Sequence, residues 1–88
     1  MKPDRAPAPS LRVRPTRVAT RSANEEGRLV LVDGRLVAVL VRLQDAAHGG
    51  LVGSWYLEAG FGACADPRPP VFDTLDAARA WVRRRLAA

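Results

Sequence analysis

The sequence predicts a small α+β domain over residues 26–88, a three-stranded antiparallel β-meander with one C-terminal α-helix packed on one face, in the order β-β-β-α. Three observations carry this. Two β-branched runs flank Asp33-Gly34, a third alternating run surrounds Trp55, and from Leu75 onward apolar residues recur at spacings of three and four.

Residues 1–25 form a leader with Pro3, Pro7, Pro9 and Pro15 and few large apolar side chains. Such a composition does not offset the entropy of ordering a backbone, so the leader is expected to be mostly disordered. Leu11-Arg12-Val13-Arg14 is the one stretch that alternates as a short edge strand would, until Pro15 ends it. The first two strands of the domain run from Arg28 to Val32 and from Arg35 to Leu43. Asp-Gly between them is a hairpin signature, because a type I′ turn needs positive φ at both central residues and matches the strand twist. A two-residue loop then sets Val32 opposite Arg35, Leu31 opposite Leu36, Val30 opposite Val37 and Leu29 opposite Ala38.

From Asp45 to Gly53 the chain reads as a mobile loop, with Gly49, Gly50 and Gly53 around His48. The third strand follows over Ser54 to Gly62, where Trp55, Leu57, Ala59 and Phe61 alternate with Tyr56, Glu58 and Gly60 and must face the core. Asp66-Pro67-Arg68-Pro69-Pro70 makes a rigid connection that disfavours both helix and ladder. Asp73 or Thr74 caps the helix, Asp76 suits the positive end of its dipole, and Arg83, Arg84 and Arg85 suit the negative end. Leu75, Ala78, Val82 and Leu86, with Trp81 beside them, form its apolar stripe.

The most informative feature is a mismatch between sheet and helix. One helix covers one face of a small sheet, yet both faces of the hairpin are apolar, whereas a sheet with a wet face alternates apolar with polar. Leu29, Leu31, Leu36, Ala38 and Leu40 are assigned to the helix, with Trp55, Leu57 and Phe61. Val30, Val32, Val37, Val39 and Val41, with Leu43, are left as the expected interface. Exposed patches of this kind mark interaction sites. Three covers are open: a second copy packed sheet to sheet, the leader folded back through Leu11, Val13 and Val18, or another protein. A second copy is the leading reading, since a domain of this size is short of core and Cys64, the single cysteine, allows no internal disulfide.

No cofactor, metal or catalytic site is expected. His48 has no ligand-type partner at a useful spacing and nothing in the sequence orients it as a base. Cys64 lies among small residues away from any expected helix N-terminus, and the glycines make no phosphate loop. The chain is therefore not expected to be an enzyme. With one cysteine, no long apolar run and prolines where a secretory signal would need apolar residues, it is expected to be cytoplasmic.

The net charge of +5 raises nucleic acid as an alternative partner. All of that excess lies in residues 1–24, where Lys2, Arg5, Arg12, Arg14, Arg17 and Arg21 face Asp4 alone; residues 25–88 balance eight arginines with eight acids. Weak, nonspecific phosphate contacts would use Arg12, Arg14, Arg17 and Arg21 of the leader with the Arg83-Arg85 cluster, chiefly Arg83 and Arg84.

The order strand, Asp33-Gly34, strand, third strand with Trp55-Tyr56, then Phe72-Asp-Thr-Leu-Asp-Ala-Ala-Arg-Ala-Trp81 resembles the arm-type DNA-binding domains of phage-type integrases. That resemblance implies a three-stranded sheet backed by a helix, with DNA read by the sheet. More closely, Glu26 to Leu43 followed by Trp55 to Gly62 is similar to a group of short bacterial proteins with no assigned role, which implies a single domain and no site. The expected function is a small interaction module that self-associates through an apolar sheet face, with nonspecific nucleic-acid binding as the alternative.

Overall fold

The computed structural model describes residues 10–87, the side chains of Ala46 and His48 excepted. Five strands and a helix follow in chain order: β1 (Leu11–Arg17), β2 (Glu26–Val32), β3 (Arg35–Arg42), β4 (Trp55–Gly60), β5 (Val71–Phe72) and α1 (Leu75–Ala87). The strands form one antiparallel sheet in the order β1-β2-β3-β4-β5. The fold class is α+β, but three strands understate it: the sheet extends the meander by one strand at each side.

At one edge, residues 11–17 of the leader pair with β2 along their whole length, Leu11 opposite Val32 and Val13 opposite Val30. Leu11 and Val13 are half-buried against the core, and that burial gives the strand the stabilisation its composition concealed. Its start is fixed by two hydrogen bonds: the Ser10 amide donates to Asp33 Oδ1 at 3.0 Å, and the Asp33 amide donates to the Ser10 carbonyl at 3.0 Å. At the other edge β5 adds two residues, with Phe72 opposite Trp55 and Val71 opposite Tyr56. Phe72 is buried and meets Trp81 of α1 with ring centroids 5.5 Å apart at a tilt of 58°.

The hairpin turn is as expected, with φ of 52° at Asp33 and 81° at Gly34, the latter a conformation only glycine adopts without cost. The expected pairs Val32–Arg35 and Leu31–Leu36 are found. Beyond them the register departs from expectation. Val30 pairs with Ala38 and Leu29 with Val39, leaving Val37 as the extra residue of a β-bulge. A second bulge falls in β4, where Ala59 pairs with Val39 and Leu57 with Leu40, so that Glu58 is extra.

Each bulge reverses which side of the sheet the following residues face. The core under the helix is therefore Val30, Val32, Ala38, Leu40, Trp55, Leu57, Cys64, Phe72, Ala78 and Val82. Leu29, Leu31 and Leu36, expected beneath the helix, lie on the opposite face, as does Val39. Val30 and Val32, expected on the uncovered face, are in the core at 1% and 9% exposure. Val37 packs partly against the core, and Phe61, expected inside with Ala59, is 49% exposed because the bulge at Glu58 turns both away from the side of Trp55 and Leu57.

Thr74 caps α1, its Oγ1 accepting from the Ala77 amide at 3.1 Å. The loop after β3 carries a 3-10 turn at Ala46–Leu51, capped by Asp45, whose Oδ1 accepts from the Ala47 amide at 2.9 Å. A second 3-10 turn at Gly62–Cys64 is tied to the helix by Arg85, which donates to the carbonyls of Ala63 and Ala65, both at 2.8 Å.

Candidate interaction surface

The ladder pairs define the sheet face away from α1 row by row. One row across the strands is Arg14, Leu29, Val39 and Ala59, and the next toward the hairpin is Arg12, Leu31 and Leu36. The row on the other side is Thr16, Gly27, Val41 and Tyr56, extended by Val71 of β5. These side chains share one face because directly paired residues point the same way and the pairing already includes both bulges.

The Gly27 row is covered by the chain itself at Gly27 and Val41, while Tyr56 is half-buried and Val71 is 39% exposed. Val18 lies over Gly27, where an added Cβ would come within 2.5 Å of its Cγ2, so only glycine fits beneath it. Val41, in the same row, is 2% exposed, and Leu43 is 5% exposed. Thr20, Ser22 and Asn24 line a depression there together with Leu51, Tyr56, Glu58 and Val71. The segment is held in place by the Val18 amide donating to the Glu25 carbonyl at 2.8 Å and by Asn24 Oδ1 accepting from the Gln44 and Asp45 amides at 2.6 and 3.0 Å. The expected lid through Leu11, Val13 and Val18 is thus real only for Val18. Leu11 and Val13 fill the helix side instead.

The other two rows keep their apolar side chains partly in water. Leu29, Leu31, Val39 and Ala59 are half-buried, and Leu36 is 38% exposed. Of the residues expected to form the interface, only Val39 stands on this uncovered part. Val30 and Val32 are beneath the helix, Val41 is buried beside Gly27, and Val37 occupies the bulge. Leu29, Leu31 and Leu36 replace them. A count of apolar faces could flag the mismatch, but no residue signal marked the bulge that exchanged the two rows.

Arg12 and Arg14 stand on the β1 flank of this apolar band, and neither makes an ion pair among the described residues. Of the other arginines expected to contact phosphate, Arg21 is exposed on the segment after β1 and Arg84 is exposed on α1. Arg17 pairs with Glu25 at 2.7 Å. Arg83 lines a cleft of about 180 Å³ with Leu11, Val32, Leu86 and Ala87, on the helix side of the sheet. Arg85 is occupied by two carbonyls, lies 3.6 Å from Asp66 and stacks over Trp81 at 5.0 Å.

Cys64 is fully buried, and burial pushes its thiol above the ordinary value of 9.0 while nearby Arg85 partly opposes the shift. A thiol held protonated is a poor nucleophile. The His48 side chain lies outside the described residues. Among the described residues no group of three or more His, Cys, Asp and Glu is placed to hold a metal ion, and no helix is long and apolar enough to cross a membrane.

No family model matches the chain, and neither does any curated protein or solved structure.

Proposed function

We propose that the protein is a small interaction module that self-associates through the sheet face formed by Leu29, Leu31, Leu36, Val39 and Ala59. The observation that carries this reading is that α1 covers only one face while these five side chains remain partly exposed on the other. Burying a Val or Leu side chain fully is worth roughly 1.5–3 kcal/mol, so a sheet-to-sheet contact would recover stabilisation that a short chain lacks. A second copy is the occupant this surface suits, because the band is central to the sheet and flanked by opposite charges at its two sides: Arg12 and Arg14 on β1, Glu58 on β4.

The edges of the sheet offer less. β1 carries Pro15 and three arginines, and β5 is two residues long; both features discourage strand addition. Nucleic acid finds weaker support, since Arg12 and Arg14 are separated by the sheet from Arg83 and flank leucines rather than aromatic residues that could stack on bases.

Size exclusion with light scattering tests the proposal on the full chain. A dimer is expected at high micromolar concentration. Val39→Lys and Leu29→Lys are expected to give folded monomers, within about 1 kcal/mol of the parent by urea melts, while Val30→Lys, which puts a charge under the helix, is expected to unfold. A parent chain that stays monomeric at high micromolar concentration ends the reading.

A further inference from the structure

We propose that the two copies pair about a two-fold axis running parallel to the strands along the β2–β3 seam, so that Arg14 of each copy meets Glu58 of the other. This inference rests on the self-association proposed above and adds the symmetry and the residues that set it.

Arg14, Leu29, Val39 and Ala59 lie in one row, on four successive strands. With neighbouring strands about 4.8 Å apart, Arg14 on β1 and Ala59 on β4 are about 14 Å apart, and the midpoint of the row falls between Leu29 and Val39. Glu58, the bulged residue next to Ala59, is exposed and lines the same face as Val41 and Tyr56. The face away from α1 therefore carries a cation on its β1 side, an acid on its β4 side and apolar side chains between them.

Two orientations of a two-fold axis in the plane of contact bring such faces together. An axis perpendicular to the strands lays β1 over β1 and β4 over β4, so that Arg14 confronts Arg14 and Glu58 confronts Glu58. An axis parallel to the strands reverses this order: β2 lies over β3, bringing Leu29 against Val39 of the second copy, and β1 lies over β4. Opposite charges then face each other twice, because an isologous contact repeats every pair. Like charges juxtaposed across an interface are costly and complementary ones fix register, so the charge pattern selects the parallel axis. Arg12 lies one row nearer the hairpin, where β4 has no residue in the ladder, and stays at the rim.

Sedimentation equilibrium on the full chain at low and high salt decides this. In the expected outcome the parent dimer weakens as salt rises. Arg14→Glu and Glu58→Arg each raise Kd on the order of tenfold or more, since every reversal acts twice across the axis, and the double variant returns to within about threefold of the parent. Circular dichroism melts confirm that all four chains fold, as expected for exposed positions. Dimerisation that strengthens with salt, or a double variant no tighter than the single ones, overturns the axis and leaves self-association standing. A monomeric parent overturns both.

Discussion

Asn24 is buried between two loops, and its Oδ1 satisfies the amides of Gln44 and Asp45 that the turn after β3 would otherwise leave without a partner. Removing the side chain strips both donors at once, and an unsatisfied buried amide costs about 1–3 kcal/mol. Asn24→Ala is therefore expected to lose about 2–3 kcal/mol in urea melts. Asn24→Asp keeps an acceptor in place and should recover most of that loss. Cys64 makes a second prediction at this scale. Its raised pKa means that the fold favours the protonated thiol, so this contribution to stability is complete below 9.0 and is lost as pH rises through the higher value of the folded state. Stability should begin to fall above about pH 9, and Cys64→Ala should flatten that limb of the profile. At pH 8 a thiol reagent should label the native chain slowly and the urea-unfolded chain at once. Rapid labelling of the native chain would show that the thiol is neither buried nor held protonated.

The helix is joined to the rest of the fold by more than its apolar stripe. Arg85 donates to the Ala63 and Ala65 carbonyls, stacks on Trp81 and faces Asp66, so one side chain fixes the 3-10 turn whose Cys64 lies in the core. Arg85→Ala is expected to cost about 1–2 kcal/mol, less than the usual upper figure for charged hydrogen bonds because the side chain is partly exposed. Arg85→Lys should not rescue it, since a single ammonium lacks the planar fork that reaches both carbonyls. The sequence placed Arg85 only as a cation near the helix end; its acceptors lie some twenty residues away, which spacing rules do not reach. The strands follow the same logic. The Asp-Gly turn and the periodicity of α1 are local patterns and were legible; the alternation in Leu11-Arg12-Val13-Arg14 marked only the start of β1 within a leader expected to be mostly disordered, and the strand runs on through Pro15, expected to end it, to Arg17. The two bulges were not, because Val37 and Glu58 are ordinary strand residues and the choice to leave them unpaired is made by packing across the sheet. β5 is too short to carry a period at all. The mismatch between two apolar faces and one helix could therefore be read from the sequence, while the names of the residues on the uncovered face could not.

For the whole molecule the question is what becomes of the sheet face that α1 leaves uncovered. The chain shields Gly27 with its own segment after β1, blunts the β1 edge with Pro15 and arginines, and leaves a strip of two rows, with Tyr56 and Val71 beside it, as the apolar surface of the free face. On the proposed self-association, a strip that small would give an interface at the weak end of the usual range. Association and folding should then be coupled by mass action, because a second copy that binds only the folded chain shifts the unfolding equilibrium. Above the dissociation constant the parent should melt higher as it is concentrated, by about 4 °C for each tenfold step in a dimer of domains this size. Val39→Lys, which removes the apolar centre without entering the core, should melt at one temperature across the same range. Adding salt should reduce the concentration dependence of the parent if the Arg14–Glu58 contacts steer the pairing, and should leave the variant unmoved. A parent whose melting point is flat from low to high micromolar concentration would instead mean that the strip is tolerated in water, its half-burial by strand neighbours being enough to keep five apolar side chains from seeking a partner.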